Sequence, residues 1–576
     1  MERLETKLIN GQTYYYYSKW GWVDGKCRRV WQKYLGKLEN IAKAVESDGP
    51  IPLYAEVFQW GLPTALWREC QRAKMVNDVD TLCPKRDQGL STGAYIAIAA
   101  INRGICPYSK RSMWEWFSQT SLMRHFPHAD KAILSSQRFW DHMDRIDGKT
   151  APAIWKNIIK GVVKREKIDL SSLLYDGTNF YTFIDTFNVR CEIAKRGKNK
   201  QGRSNLRQVS YALFCCSDGH LPLFYDVYEG NRNDARQFPQ ILDRFHGFYK
   251  ELSGGKGKSP ETTLVFDKGN NSASNFALLD SMQINYVGSV KPDEHKDLAL
   301  ISNSDSAFVT CTPEELEGTK AFRVAKKVYG RERVLIVTYN QNLFDAQWLT
   351  LQNDVKKAVD RLSELHQKLE DRINGIVTQG RAPTRESLEN QVKGILSRQH
   401  LKGVIDVKVE KGTDGNLQLH YGINDEKLRQ VADTYLGKNI LITNRAEWDN
   451  VKIIKAYRSQ FVIEEVFKEM KDRNTGSWWP LFHWTDSKIK VHGLYCTMAL
   501  LLRALAYRRV RQAGIRLSMK KMLSQLNDIR EVVNVYPRKR RQKVERRQTI
   551  LTKTSEVQQK LISILGLQEG TGSVLG

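Results

Sequence analysis

The sequence predicts an α/β protein of several domains, built around a sheet that combines antiparallel and parallel strands. Its 576 residues exceed the length that one hydrophobic core usually supports. Between about residues 170 and 290, apolar runs of strand length alternate with turns and with one helical segment. These runs are SLLYD, QVSYALFCCS, LPLFYDVYEG, TTLVFD and INYVGSV. Their order predicts three meandering strands, a crossover helix before the fourth run, and then parallel strands.

The segments on either side of this sheet have other patterns. Residues 13–36 are aromatic and turn at Asp24 and Gly25, which predicts a small antiparallel hairpin. Residues 55–165 are helical in pattern, which suits either a bundle packing its tryptophans or a DNA-binding module. Beyond Val290, a heptad-like apolar seam predicts an antiparallel helical hairpin among further strands. The seam consists of Leu351, Val355, Ala358, Leu362, Leu365 and Leu369.

The charge balance favours a polyanionic partner. Lys and Arg number 90 against 64 Asp and Glu, a formal net charge of +26, which leaves DNA, RNA and anionic membranes as partners. The opening MERLETKLINGQ has no apolar run after a basic segment, and the longest apolar stretch, GLYCTMALLLRAL, is short and carries Arg503. We therefore expect no membrane partner and a cytoplasmic protein. The nine cysteines form no Cys-x-x-Cys pair, which argues against structural zinc and disulfides.

The segment YRSQFVIEEVFKEMKD predicts an amphipathic helix with a polar row beside its apolar face. At about 100° per residue, a step of seven returns to nearly the same side of a helix. Tyr457, Glu464 and Lys471 are spaced in this way, and Gln460 and Lys468 fall beside them. Such a row either faces a cleft or is a solvated surface, in which Glu464 and Lys468 form an ordinary i,i+4 pair.

Three acids are candidates for a metal site. Asp176 and Asp267 end the first and fourth strand runs, and Glu464 lies on a helix expected to pack on the same sheet. Carboxylates are hard ligands, so two Mg²⁺ or Mn²⁺ ions are the expected occupants, and they would activate a water or a 3′ hydroxyl for attack on a phosphodiester. The alternative for both aspartates is a strand-end turn. Glu465 and Glu469 lie on another side of the helix, so we favour Glu464 as the third acid.

The order of these acids is that of a ribonuclease H-like nucleotidyltransferase core, and the residues around them resemble a known family. LLYDGTNFY, LVFDKGNNSASNF and YRSQFVIEEVFKEMKD are similar to the three catalytic blocks of bacterial insertion-sequence DDE transposases, in the group with the signature Tyr-x2-Arg-x3-Glu-x6-Lys. KYLGKLENI, GHLPLFYDVYEGNRND and WWPLFHWTDSKIKVHGLYCTMALLL resemble flanking segments of that family. The chain departs from the signature at its arginine, where Gln460 stands, with Arg458 two residues earlier.

The resemblance implies an α/β fold in which a ribonuclease H-like core is interrupted by a mixed α+β insertion domain. Together with the patterns above, it divides the chain into six expected regions. They are an N-terminal β-rich module (1–50), a helical DNA-binding domain (51–165), the first half of the catalytic core (166–295), the insertion domain (296–448), the second half of the core (449–515) and a C-terminal helical, basic tail (516–576). The tail contains RKRRQKVERR, which is expected to be either a solvated charge run or a non-specific DNA grip.

The resemblance also implies an activity: cut-and-paste cleavage of a mobile element's ends and joining of their 3′ hydroxyls to target DNA. Asp176, Asp267 and Glu464 would hold the two Mg²⁺ or Mn²⁺ ions. The expected DNA contacts are Tyr457, Arg458, Gln460, Lys468, Lys471, Lys195, Arg196, Lys198 and Arg203. The last four belong to a basic loop, 194–207, whose composition predicts flexibility. The implied partners are terminal inverted repeats, target DNA and a second copy of the chain in a paired-end complex, at the nucleoid of a bacterial cytoplasm.

Two other functions stay open on the sequence alone. A metal-dependent nuclease of the same fold would cut DNA without joining strands. A DNA-binding repressor descended from such an enzyme would leave the acids idle, and the presence of all three acids counts against it. Within the insertion, the aromatic residues Tyr339 and Trp348 are expected to shield a splayed base by stacking.

Overall fold

The computed structural model describes residues 1–23, 25–46, 51–84, 89–198, 202–252, 262–312, 314–412, 415–474, 476–537 and 545–568. Its strands are β1 (Glu2–Ile9), β2 (Gln12–Val23), β3 (Lys26–Gly36), β4 (Tyr54–Gln59), β5 (Ser172–Tyr181), β6 (Lys195–Arg196), β7 (Arg207–Cys216), β8 (Pro222–Glu229), β9 (Thr263–Phe266), β10 (Asn285–Val290), β11 (Val309–Thr310), β12 (Thr319–Val328), β13 (Arg331–Asn340), β14 (Ile405–Lys411), β15 (Leu417–Ile423), β16 (Lys438–Thr443), β17 (Arg530–Tyr536) and β18 (Arg546–Leu551). Its helices are α1 (Leu38–Glu46), α2 (Gly61–Arg72), α3 (Met75–Leu82), α4 (Thr92–Ile105), α5 (Met113–Phe117), α6 (Ser136–Met143), α7 (Thr150–Glu166), α8 (Asp234–Leu252), α9 (Ala273–Ser281), α10 (Lys296–Ala299), α11 (Gln341–Ile373), α12 (Arg385–Ile395), α13 (Leu401–Val404), α14 (Asp425–Tyr435), α15 (Asn450–Arg458), α16 (Phe461–Lys471), α17 (Asp486–Gln512), α18 (Met519–Asn527) and α19 (Glu556–Leu565).

The largest sheet of the described residues has the strand order β11–β12–β13–β16–β10–β9–β5–β7–β6, with β8 paired to β7. Strands β5, β7 and β8 form an antiparallel meander. After the crossover helix α8, β9 runs parallel to β5, and β10 runs parallel to β9. This is the predicted order of three meandering strands followed by parallel strands, and the mixed α/β architecture is consistent with a ribonuclease H-like core.

Helices cover both faces of the meander. On one face, Tyr175 of β5 and Phe214 of β7 pack against Phe238 and Phe245 of α8. On the other face, Tyr211 meets α16 and α17 through Phe467 and Thr497. Successive side chains along a strand point to opposite faces. The residue that follows Tyr175, Asp176, therefore points toward α16 and α17.

Residues 296–448, expected to form one insertion domain, are divided between two units. Strands β12, β13 and β16 extend the central sheet, because β16 pairs antiparallel with both β10 and β13. The remainder forms a second hydrophobic core around α11, α12, the β14–β15 hairpin and α14. All six residues of the predicted seam on α11 are buried in that core. The chain leaves the central sheet near Tyr339 and returns to it at Lys438, and these two residues are paired with each other.

The helical region, residues 51–165, shares one hydrophobic core with the central sheet. Helix α4 packs along α17, the long helix that also contacts β8. Every residue of α4 from Thr92 to Ile105 is buried. Trp116 and Trp155 are almost fully buried, as the bundle interpretation expects, whereas Trp140 is 42% exposed. The helices therefore brace the core.

The C-terminal region differs from the helical, basic tail that the sequence predicted. Strand β17 pairs with both β18 and β4, so residues near 55 and near 533 share one small sheet. The alternation in REVVNVY is a strand pattern, with Val533 and Val535 buried. Most of the predicted basic run, residues 538–544, lies outside the described residues. Its last two arginines, Arg546 and Arg547, belong to β18.

At the N-terminus, β1, β2 and β3 form a separate antiparallel sheet. The predicted hairpin is the β2–β3 pair, whose register runs from Val23 opposite Lys26 back to Tyr15 opposite Gly36. One residue of its predicted turn, Asp24, lies outside the described residues.

Helix α17 is long and apolar enough to cross a membrane by length and composition. In its most apolar window, 94% of the residues are buried inside the protein. That burial is what a central core helix requires, because neighbouring elements cover it on all sides.

A buried carboxylate joins α2 to α7 and α17. Glu69 is fully buried and pairs with Arg509 at 2.9 Å and Arg72 at 2.5 Å, and Arg509 also pairs with Glu166 at 2.6 Å. Removing Glu69 leaves two guanidinium groups without their shared partner. We expect Glu69→Ala to lower the free energy of unfolding by about 3 kcal/mol, measured by chemical denaturation. The control is Glu115→Ala at an exposed position, which should change the free energy of unfolding by less than about 0.5 kcal/mol. Equal effects of the two substitutions would show that the ion pairs of Glu69 do not stabilise the fold.

Candidate active site

Asp176 and Asp267 lie side by side on neighbouring parallel strands. The register pairs Tyr175 of β5 with Phe266 of β9, so the next residue of each strand is an aspartate. Neighbouring strands are about 4.8 Å apart in the pairing direction. Asp176 was predicted to end its strand, but β5 continues to Tyr181. Its Oδ1 accepts a hydrogen bond of 2.7 Å from the Gly177 amide.

Asp267 uses its carboxylate in tertiary contacts. It precedes a 3₁₀ turn, Lys268–Asn270, and makes no side-chain cap to that turn. Its Oδ1 instead accepts hydrogen bonds from Ser289 Oγ at 3.1 Å and from the Tyr457 hydroxyl at 3.4 Å. The strand-end turn alternative therefore does not describe what this carboxylate does.

Tyr457, on α15, donates to the end of the central sheet and lines the same groove as Glu464. Its hydroxyl also donates to Ser289 Oγ at 3.0 Å. Burial, reinforced by the charges of Asp267 and Glu464, raises the pKa of the Tyr457 phenol to about 12. The phenol therefore keeps its proton at neutral pH and acts as a hydrogen-bond donor.

The predicted single helix is interrupted. Helix α15 ends at Arg458 and α16 begins at Phe461, and between them the Gln460 amide donates to the Tyr457 carbonyl at 3.1 Å, a 3₁₀ pattern. Ser459 and Gln460 keep right-handed helical backbone angles, and Tyr457 and Glu464 line the same groove, so the predicted row of Tyr457, Glu464 and Lys471 stays a prediction. The break has no sequence signal, because neither Gly nor Pro stands there.

Glu464 lines a groove of about 290 Å³ together with Tyr457, Arg458 and Gln460. The opposite wall includes Thr338 and other residues of β13 and β16. Gln460 is 8% exposed. Arg458 reaches across to β12, where its guanidinium donates to Thr319 Oγ1 at 2.6 Å.

The two lysines of α16 lie in different places. Lys471 donates to Thr178 Oγ1, two residues after Asp176 and on the same face of β5, and its ammonium lies 5.8 Å from the Phe180 ring centroid. Lys468 lines a cavity of about 1070 Å³, which also contains Glu465. Lys471 is therefore part of the surroundings of Asp176, whereas Lys468 faces another region.

Asp176, Asp267 and Glu464 have the right chemistry to bind a divalent cation, and two of the three lie next to each other. Carboxylate oxygens are the ligands that Mg²⁺ and Mn²⁺ prefer. Among the described residues, no group of three or more His, Cys, Asp and Glu side chains is close enough to hold a metal ion. The fold brings Asp176 and Asp267 together, and Glu464 lies beyond Tyr457 from them.

The basic loop lies near the far end of β5. Lys195 and Arg196 form the short strand β6, and Lys198 and Arg203 are exposed, while residues 199–201 lie outside the described residues. The Arg203 guanidinium lies 4.8 Å from the ring centroid of Tyr181.

Sequence reasoning missed two side chains that meet this site. Arg473 hydrogen-bonds the Tyr181 hydroxyl, and Ser289 links Asp267 to Tyr457. The only signal for Arg473 was its place in the basic end of the helix, two residues after Lys471. Ser289 sits in the apolar run INYVGSV, where nothing distinguishes it.

The two aromatic residues expected to stack on a base differ in exposure. Tyr339 is 7% exposed and donates its hydroxyl to Gln341 at 2.7 Å. Trp348 is partly buried and stacks on Phe344 with ring centroids 6.3 Å apart. A buried Tyr339 does not offer a stacking face, so that part of the expectation is wrong.

The contacts of Tyr457 generate a stability prediction. We expect Tyr457→Phe and Ser289→Ala each to lower the free energy of unfolding by about 1 kcal/mol, because each removes a hydroxyl from the chain that ends on Asp267. The double variant should lose less than the sum, since the two hydroxyls share a hydrogen bond. Chemical denaturation measures the cycle, with the exposed Tyr54→Phe as control. Strict additivity would show that the two hydroxyls do not interact.

A family model described as the transposase DDE domain matches residues 171–502. No match was found among curated proteins. Among solved structures, a cryo-EM structure of a piggyBac transposase synaptic complex with hairpin DNA has 10% sequence identity and a TM-score of 0.35, over 80% of this chain and 79% of that chain. The matched range includes Asp176, Asp267 and Glu464. Since the family model covers more than half of the sequence, the chain belongs to the transposase DDE domain family.

Proposed function

We propose that this protein cleaves the ends of its own mobile element and joins the freed 3′ hydroxyls to target DNA by cut and paste. The observation that supports it most is the pairing of Asp176 with Asp267 on adjacent parallel strands, with the Lys471 ammonium on the same face. Two carboxylates and a cation beside them suit a phosphodiester, because the acids hold metal and the cation meets phosphate.

In this proposal Asp176, Asp267 and Glu464 hold two Mg²⁺ or Mn²⁺ ions. When bound, the ions would activate a water or a 3′ hydroxyl and stabilise the leaving oxygen. The protein's own contribution is orientation: the Tyr457 phenol and Ser289 hydroxyl fix one oxygen of Asp267. The Gly177 amide does the same for Asp176.

The DNA contacts follow the surroundings of the acids. Lys471 is assigned to the phosphate next to the cut, and the exposed Arg458 to the backbone in the groove beside Glu464. Gln460 is buried and is assigned no phosphate. The exposed cations of the loop that contains Arg203 extend this path along β5. The net charge of +26 supports a long polyanionic partner. Element ends, target DNA and a second copy of the chain would make up the working complex.

Each acid should be required for cleavage. We expect Asp176→Asn, Asp267→Asn and Glu464→Gln each to reduce Mg²⁺-dependent cleavage to background, because an amide cannot replace a metal-binding carboxylate. The substrate is a plasmid carrying the gene with its natural flanks, and the products are cut ends and joined strands. Binding to the same DNA should stay within about twofold, since phosphate contacts supply it.

Glu465→Gln is the matched control, since Glu465 is exposed and adjacent in sequence but lines the other cavity. It should cleave like the native protein. Activity in a variant of one of the three acids would remove that residue from the site. Cleavage without any joined product would instead identify a nuclease.

Lys471 and Lys468 provide a second matched pair. We expect Lys471→Ala to reduce cleavage by about tenfold to a hundredfold, the range of a lost hydrogen bond to a charged group, and Lys471→Arg to keep most of it. Lys468→Ala should have little effect, since Lys468 faces the 1070 Å³ cavity. Initial cleavage rates measure all three. Equal losses for the two alanine variants would contradict the assignment of Lys471 to the phosphate.

A further inference from the structure

Beyond the end of β5, apolar side chains stand exposed on a loop and on the segment beside it. Phe187 and Val189 are 90% and 88% exposed, and Phe183 is 69% exposed. The neighbouring segment contributes Phe482 and Trp484, which are 71% and 47% exposed. These five residues are called the platform below. Single exposed apolar residues are ordinary, but a group of large ones marks a binding surface.

Hydrogen bonds show that the two segments are joined. The Asn188 side-chain amide donates to the Trp484 carbonyl at 3.4 Å, and the Arg190 guanidinium lies 5.4 Å from the Trp484 ring centroid. The amides of Glu192 and Ile193 donate to Asp486 Oδ1 at 2.9 and 3.2 Å. The platform is therefore one surface built from two parts of the chain.

Arg207 binds four backbone carbonyls in and beside this loop, and Arg196 binds the Thr186 hydroxyl at 3.0 Å. Arg207, at the start of β7, donates from Nε to the Ala194 carbonyl at 2.6 Å and from Nη1 to the Asp185 and Asn188 carbonyls, both at 3.0 Å. Its Nη2 donates to the Cys191 carbonyl. The Phe187 amide is also tied, to Asp185 Oδ1 at 2.7 Å. The exposure of Phe187 therefore belongs to a built loop.

The platform continues the strand that carries Asp176. At about 3.3 Å per residue, the five residues from Asp176 to Tyr181 span about 17 Å. The ring of Phe183 then meets Tyr181 edge to face at 5.6 Å. Arg203 and Arg473 both lie against Tyr181. Cations therefore lie at two points along β5, with Lys471 at Thr178 on the face of Asp176, and Arg203 and Arg473 at Tyr181 where the strand ends.

We propose that the platform stacks on unpaired bases of a DNA strand whose backbone passes Asp176 and Asp267. This inference rests on the proposed function, and it adds a binding site for single-stranded DNA next to the cut. Aromatic faces bind any base, and flanking cations bind the backbone between the bases. The cations favour DNA over a second protein surface, since they complement a polyanion. Phe187 is the central residue because it is the most exposed member of the platform.

The test compares two DNA probes by fluorescence anisotropy. One is a blunt duplex, and the other is the same duplex with a short single-stranded thymidine tail, prepared with 3′ and with 5′ tails. The native protein should bind one of the tailed duplexes more tightly than the blunt one. Phe187→Ala should reduce that preference about tenfold, which is within the range of one stacked base. Binding to the blunt duplex should be unchanged.

Two further substitutions separate stacking from apolar contact. Phe187→Trp should keep the preference for the tail, whereas Phe187→Leu should behave like Phe187→Ala because it lacks a flat aromatic face. The matched control is Trp140→Ala, which removes an aromatic ring that is 42% exposed on α6, and it should keep the preference. Because Phe187 is almost fully exposed, none of its variants should affect folding, which circular dichroism checks.

Three results would overturn this inference. One is an equal preference for the tail in the native protein and in Phe187→Ala. Another is full rescue by Phe187→Leu. The third is a Phe187→Ala protein that keeps its preference but changes from dimer to monomer in sedimentation, which would make the platform an interface between copies. Failure of the proposed function is distinct: the native protein would then cut no element ends, whatever its preference for a tail.

Discussion

The parallel pairing of β5 with β9 is the constraint on which the candidate site depends. It sets Asp176 beside Asp267, and both strands are buried, so the register is strongly specified. A slip of one residue would turn Asp176 toward the aromatic face that holds Phe238 and put Tyr175 where Lys471 reaches the strand. A carboxylate among those rings would lose its solvation without a partner. The aromatic packing on one face of β5 thus fixes the register that places Asp176 on the opposite face.

Elements distant in sequence hold β5 from the opposite side. Trp478, which follows α16, stacks on Phe180 with ring centroids 4.2 Å apart. Its carbonyl accepts hydrogen bonds from His492 on α17, at 2.7 Å, and from Arg103 on α4. Burial lowers the pKa of His492 far below its usual value, so the imidazole is neutral at physiological pH. The helical region therefore takes part in the site by supporting the segment after the third acid.

Strand order was predictable because five apolar runs with clear turns leave few arrangements for the central sheet. The apolar seam of α11 was also predictable, because a helix that buries one face shows apolar residues at a regular spacing in its own sequence. The pairing of β16 with β10 was not, because antiparallel partners 150 residues apart leave no local pattern. The burial of Tyr339 also depends on that pairing, since it lies on β13 against β16.

The 3₁₀ turn at Ser459 and Gln460 joins α15 to α16 along one wall of the groove that contains Glu464. At this junction the Tyr457 hydroxyl donates to Asp267, and the Gln460 side chain is buried. Arg458 then lines the same groove as Glu464, held at Thr319 by a hydrogen bond. A guanidinium is always charged and suits phosphate geometry. The groove therefore holds a cation beside Glu464, although Gln460 stands where the signature that this sequence resembles has arginine.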